Sequence, residues 1–365
     1  MMSLPSKQIG ALQTMRTIAS SVAMLALLLG CGNSGIAVKV AELPEADGES
    51  LPVGLDFGVD GSRVVVVSQS GQVRIWDWRS NRIEKTLENP QGFGNGLASN
   101  PILYSPDGRL LASCDGGSAG ELRVRIWSTS TWSVAKDLVD NGSGLCSGMV
   151  FTPDSQVLIR TADTGGRRLN TLIAYSVDTW QAVWGLSIEG LSPVSVAISP
   201  TGELAAISGT TIVSPPGVTD PLQASQQSRV VGNLDIVDLG QHKVVRVIPS
   251  VSTGPVAWNR DGVQVAVVGG PDVEVYDARS GQNLIQENIE KSGSMNVRFT
   301  ADGRYLVASG RRSGSSGIGV MIWDSQNHAL LQHLSVGAVG SIAVSRNGKY
   351  LAVGTSGRTT IWQLK

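Results

Sequence analysis

Leu55-Asp56-Phe57-Gly58-Val59-Asp60-Gly61-Ser62-Arg63-Val64-Val65-Val66-Val67, followed six residues on by Val73-Arg74-Ile75-Trp76-Asp77, decides the fold. Leu55 and Phe57 are apolar at a two-residue spacing, which is the period of a strand with one buried face. Asp60-Gly61 between two apolar runs is a strong hairpin signal, because its tight turn needs a residue tolerant of positive φ. The valine run forms the second strand, and VRIWD, ending in an aromatic and a polar residue, forms the third. Ile83 to Leu87 supplies a fourth.

The same grammar recurs along the chain. Asp60-Gly61 is followed by Asp107-Gly108, Asp154-Ser155, Thr201-Gly202, Asp261-Gly262, Asp302-Gly303 and Asn347-Gly348, at spacings of 47, 47, 47, 60, 41 and 45. Three residues before each turn stand Phe57, Tyr104, Phe151, Ile198, Trp258, Phe299 and Val344. Five before stand Leu55, Ile102, Met149, Val196, Val256, Val297 and Ile342. The third run reads VRIWD, VRIWS, LIAYS, LDIVD, VEVYD, VMIWD and TTIWQ in the seven units, and a fourth run follows six of them. No sustained 3.6-residue period follows residue 30, so the expected fold class is all-β. The 44 glycines fit a chain with many tight turns.

Seven units of four strands and about 45 residues resemble the WD40 family of β-propellers. The literal Trp-Asp pair stands at Trp76-Asp77 and Trp323-Asp324, with Trp127, Tyr175, Tyr276 and Trp362 as aromatic equivalents. No Gly-His dipeptide occurs, so the family's buried Asp-His-Ser/Thr-Trp network cannot form here. Another seven- or eight-bladed propeller family is the alternative. The resemblance implies a seven-bladed ring over residues 36–365. The seventh unit ends at Lys365 after its third strand, while Ile36 to Ala41 is an orphan apolar strand. Placing it beside TTIWQ closes the ring and removes an open edge.

Ahead of the ring, residues 1–30 contain no acid, carry Lys7 and Arg16, and include the apolar run Ile18–Leu29. Twelve residues are too few to cross a hydrocarbon core of ~30 Å, which takes about 20, but suit a signal peptide. Leu28-Leu29-Gly30-Cys31 resembles the bacterial lipobox, which implies cleavage before Cys31 and lipidation of its thiol. Residues 31–35 then form a short tether. Met15 would also make a compact start, with residues 1–14 an over-extension. Cleavage leaves 27 basic against 30 acidic residues. The resemblance implies a membrane-anchored exported lipoprotein, at the outer membrane facing the periplasm in a Gram-negative host.

Candidate chemistry is sparse. A formal charge of −1 argues against nucleic acid as a partner. The only histidines, His242, His328 and His333, read as surface residues of units four and six. No nucleophile elbow, phosphate loop or zinc spacing is present, so no catalytic residue, metal or cofactor is expected. YSVDTWQAVW at 175–184 is similar to the repeat of quinone-cofactor propellers but occurs once, and Trp78, Trp132, Trp180 and Trp184 read as outer-strand packing. Asp56 and Arg298 are the two charges among the seven inner-strand positions four residues before each turn. They are expected as a channel ion pair, with a channel-mouth ligand site as the alternative. Cys114 and Cys146 fall at one face of adjacent units, as either a disulfide or two buried thiols.

Insertions before the third strands, Asp115–Glu121, Thr161–Asn170, Ser208–Val231 and Gly310–Ile318, gather on one face. They carry Arg167, Arg168, Pro215, Pro216, Arg311 and Arg312, the candidate binding loops. The reading is a non-enzymatic scaffold that binds an unknown envelope protein. The alternatives are a lactonase- or quinone-dehydrogenase-type propeller enzyme and a glycan binder.

Overall fold

The computed structural model describes residues 35–44, 51–68, 71–88, 101–116, 121–143, 145–163, 171–213, 223, 227–269, 272–290, 296–312 and 317–365. Those residues form a seven-bladed β-propeller. Blade 1 is β2 (Pro52–Phe57), β3 (Arg63–Ser68), β4 (Gln72–Asp77) and β5 (Arg82–Glu88). Blade 2 is β6 (Ile102–Tyr104), β7 (Leu110–Gly116), β8 (Glu121–Ser128) and β9 (Val134–Ser143). Blade 3 is β10 (Leu145–Phe151), β11 (Val157–Asp163), β12 (Leu172–Ser176) and β13 (Ala182–Leu186). Blade 4 is β14 (Leu191–Ile198), β15 (Leu204–Val213), β16 (Arg229–Asp238) and β17 (Lys243–Ser250). Blade 5 is β18 (Val256–Trp258), β19 (Gln264–Val268), β20 (Asp272–Asp277) and β21 (Asn283–Glu290). Blade 6 is β22 (Asn296–Phe299), β23 (Tyr305–Arg312), β24 (Ile318–Asp324) and β25 (Leu330–Ser335). Blade 7 is β26 (Val339–Val344), β27 (Tyr350–Thr355), β28 (Arg358–Leu364) and, from the N-terminal side of the chain, β1 (Ala37–Pro44).

The ring closes as expected, with a longer strand. β1 runs antiparallel to β28 from Ala37 opposite Leu364 to Pro44 opposite Arg358, with a bulge between Lys39 and Ala41. Ala37 and Leu43 are fully buried, in two different inter-blade cores.

A second closure runs through the hairpin turns. Gly61, Gly108, Gly202, Gly262, Gly303 and Gly348 all take positive φ, and Ser155 takes φ 63° where a glycine would be expected. Each turn leans on its neighbour. Gly61 packs beside Ser345 and Asn347, Gly108 beside Val59, Gly202 beside Pro153, Gly262 beside Pro200, Gly303 beside Arg260 and Gly348 beside Asp302. Blades 2 and 3 are joined by the Asp107 amide donating to Ser155 Oγ at 3.0 Å. All seven neighbouring pairs are thus in contact around one end of the channel.

Apolar cores lie between blades. Trp76 packs with Leu55, Phe57, Val64 and Val66 of its own blade and with Ala343, Ala352 and Ile361 of blade 7, while Val73 and Ile75 face blade 2. Among the described residues, buried Trp76 Nε1 has no hydrogen-bond partner. Burial of apolar area holds the ring instead, at about 25 cal/mol per Å².

Several details differ from the sequence reading. The insertion ends in blade 4 are strand, since Thr211, Ile212 and Val213 pair with Val231, Val230 and Arg229. Asp115 and Gly116 likewise pair with Arg123 and Leu122. Cys146 lies inside β10, opposite Ala162, one bulge away from the regular ladder. Blades 5 and 6 are bridged where Ile289 and Glu290 pair with Arg312 and Arg311. Trp78, Trp132 and Trp180 are not on outer strands but in the turns joining third to fourth strands. Asn81, Trp132, Trp180, His242, Gly281 and His328 occupy one equivalent position there, all at positive φ. A bulge opposite the third-strand aromatic accompanies each turn, as between Ile75 and Trp76.

Candidate interaction surface

The inner strands, which touch between neighbouring blades as β2 does β26 and β10 does β14, form the wall of the central channel. Asp56 and Arg298 both sit half-buried on that wall. Neither hydrogen bond of Asp56 goes to Arg298. Asp56 Oδ1 accepts from the Phe57 amide and Oδ2 from the Tyr104 amide of blade 2, both at 2.8 Å. A short carboxylate takes the amides beside it, whereas a long guanidinium reaches carbonyls. Arg298 Nη1 donates to the Val297 carbonyl at 2.8 Å. Arg346 reaches from blade 7 past blade 1 to the Ser105 carbonyl (2.8 Å), the Tyr104 carbonyl (3.3 Å) and the Pro106 carbonyl. Burial raises the Asp56 carboxyl above its usual range. The Tyr104 amide, the Arg346 charge, the Phe57 amide and the Arg298 charge oppose it, in that order. Asp56 thus ties blade 1 to blade 2, and Arg346 ties blade 7 to blade 2.

The three histidines do not converge. His242 stacks on Trp184 of blade 3, with ring centroids 4.6 Å apart. His328 and His333 belong to blade 6, and burial lowers the imidazole pKa of His328. Among the described residues no group of three His, Cys, Asp or Glu side chains could hold a metal ion. Cys114 is buried and disulfide-bonded. The side chain of Cys146 lies outside the described residues, although β10 touches β7. Cys31 and the signal segment, Arg167, Arg168, Pro215 and Pro216 also lie outside them. Arg311 and Arg312 are described only as main chain, in β23.

The described part of the loop face is dominated by blade 4. β15 and β16 are each 10 residues long and stay paired to Val213 and Arg229. Near their ends Ile212 is 69% exposed and Val230 opposite it 66%, and Val251 beyond β17 is 56% exposed. Large apolar side chains standing together in water mark a contact surface. A cleft of about 770 Å³ between blades 4 and 5 begins here, with Val230, Val231 and Val251 on its wall.

One position in the third strand carries more charge than its surroundings suit. Two residues before each aromatic or its equivalent stand Arg74, Arg125, Ile173, Asp235, Glu274, Met321 and Thr360. Charges at a strand position that packs between blades are the signal in the sequence that could have found them. Arg125 pairs with Asp137 at 2.9 Å. Asp235 and Glu274 are each 2% exposed. Burial pushes the Asp235 carboxyl up to about 6, and its Oδ1 has no hydrogen-bond partner among the described residues. No protein-family model matches the chain.

Proposed function

We propose that the chain is a non-enzymatic interaction scaffold, a propeller anchored to the cell envelope by lipid on Cys31 that presents its loop face to an envelope protein. The observation that carries the interaction role is the exposed pair Ile212 and Val230 on the long hairpin of blade 4. A propeller offers a rigid ring on which such loops are held, and binding is concentrated on loops held that way. The address rests on Leu28-Leu29-Gly30-Cys31 behind a basic and apolar leader. The disulfide at Cys114 fits an exported protein, because cytosolic thiols are kept reduced.

The test is capture from solubilised envelope membranes with the tagged, lipidated protein and with Ile212→Asp/Val230→Asp. Both side chains are exposed, so the double variant should fold with an unchanged melting profile. A defined partner recovered with the native protein and lost with the variant supports the reading. Equal recovery with both, or no partner with either, overturns it. Cys31→Ala should remove the membrane-bound fraction, and normal processing and partitioning of that variant would refute the anchor.

A further inference from the structure

We propose that the cleft between blades 4 and 5 is a docking pocket for a basic side chain, arginine or lysine, carried by a partner polypeptide. This rests on the interaction reading and deepens it by naming the chemistry of what is bound, in a cleft that begins at Val230 and runs away from the exposed pair toward Gly281.

Glu274 is the reason. It projects from β20 toward blade 4, in the packing layer of Ile248 and Tyr276. Its hydrogen-bond partners among the described residues are all neutral. Oε2 accepts from Ser250 Oγ at 2.7 Å and from the Ser252 amide at 3.0 Å, and Oε1 accepts from the Tyr276 hydroxyl at 2.8 Å. Burial, reinforced by the Glu274 carboxylate, holds the Tyr276 hydroxyl well above its ordinary pKa, so it stays a donor. A carboxylate taken almost wholly out of water normally has a cationic partner. At the equivalent place in blade 2, Arg125 has its counter-charge from within the chain, Asp137 on the adjoining strand. For Glu274 the described residues supply three neutral donors and no cation.

The cleft provides the remaining space. Glu274 is among its lining residues, and its volume of about 770 Å³ is within the roughly 300–1,000 Å³ range of ligand pockets. Val230, Val231, Ile248, Pro249 and Val251 give it apolar wall, and Ser250, Asn283 and Gln286 give it polar wall. Arg246, near the Gly281 end, donates to the Ser280 carbonyl at 3.1 Å. A slot whose wall is part apolar and part polar, with a carboxylate among its lining residues, matches arginine or lysine, whose stems are apolar and whose heads are charged. The free lone-pair capacity of Oε1 can take a charge-assisted hydrogen bond, stronger than a neutral one.

The probe is a fluorescein-labelled pentapeptide with a central arginine between two valines, compared with the same peptide carrying citrulline, its neutral isostere. Fluorescence polarisation against the mature protein should show the arginine peptide binding at least tenfold more tightly. Glu274→Gln should abolish that preference. Val251→Lys, on an exposed wall position, should weaken the arginine peptide while leaving the melting profile unchanged. Equal binding of the two peptides, a preference that survives Glu274→Gln, or no arginine-peptide binding up to millimolar concentration would each overturn the proposal. Val230 lines the cleft as well as belonging to the exposed pair, so the peptide assay keeps Ile212 and Val230 native and reads only the arginine-over-citrulline preference, which can appear or fail whatever the capture experiment shows.

Discussion

The substitution Asp235→Asn should stabilise the propeller at neutral and alkaline pH. Asp235 lies on β16 between Leu234 and Ile236, paired across to Ile207 and Val247, and is 2% exposed. Burial alone raises its pKa from 3.8 to about 6. The sign follows from proton binding. The folded state holds this proton more tightly than the unfolded chain, so the favourable contribution is complete below 3.8 and is lost as pH rises through about 6. A shift of about two units at 1.36 kcal/mol each corresponds to about 3 kcal/mol lost between pH 4 and pH 8. An asparagine in its place would keep the shape and carry no charge, so the variant should exceed the native protein by up to about 3 kcal/mol at pH 8, less the cost of burying its amide. The advantage should vanish near pH 4. Urea denaturation of both proteins at half-unit pH steps measures it. A difference between the two that stays flat from pH 4 to 8 would show that Asp235 is neither isolated nor desolvated as described.

Three further outcomes follow from the closure and the thiols. Arg346→Ala strips three main-chain carbonyls of their donor and removes the stronger cation acting on Asp56, and should cost about 2–3 kcal/mol in urea denaturation. Leu43→Ala empties a fully buried site on the closing strand and should cost about 3 kcal/mol, whereas an unchanged midpoint would mean that β1 does not seal blade 7. Non-reducing mass spectrometry of freshly exported protein should find Cys114 in a disulfide with Cys146, and two free thiols would refute it.

What could be read from the chain follows the range of the forces involved. The turns at Asp60-Gly61 and its six counterparts are local devices. Their glycines adopt the positive φ that the pattern demands, and even Ser155 is held there. Third-strand aromatics such as Trp76 and Trp323 mark a strand for the same reason, and the apolar run Ile36–Ala41 was legible as an orphan because the seventh unit shows three strands, although its extension to Pro44 was not. Features made by neighbouring blades were not legible. Asp56 and Arg298 share the channel wall, but amides of two blades capture the carboxylate before Arg298 can. Arg346 reads as an ordinary turn residue until blade 2 is seen to present three carbonyls to it. Glu274 shares the face of Tyr276, two residues on, so its burial could be read from the alternation, but the neutral donors that Ser250 and Ser252 of the neighbouring blade bring to it could not.

If the propeller meets a partner through the loop face of blade 4, as proposed, the two ends of the ring differ in what they touch in the cell. A photo-crosslinking amino acid placed at position 212, and separately at the exposed Lys349 on the turn face, tests this in living cells that make the lipidated protein. One adduct of defined mass is expected from position 212 and none from position 349. Adducts of equal yield from both positions, or none from position 212, would contradict it.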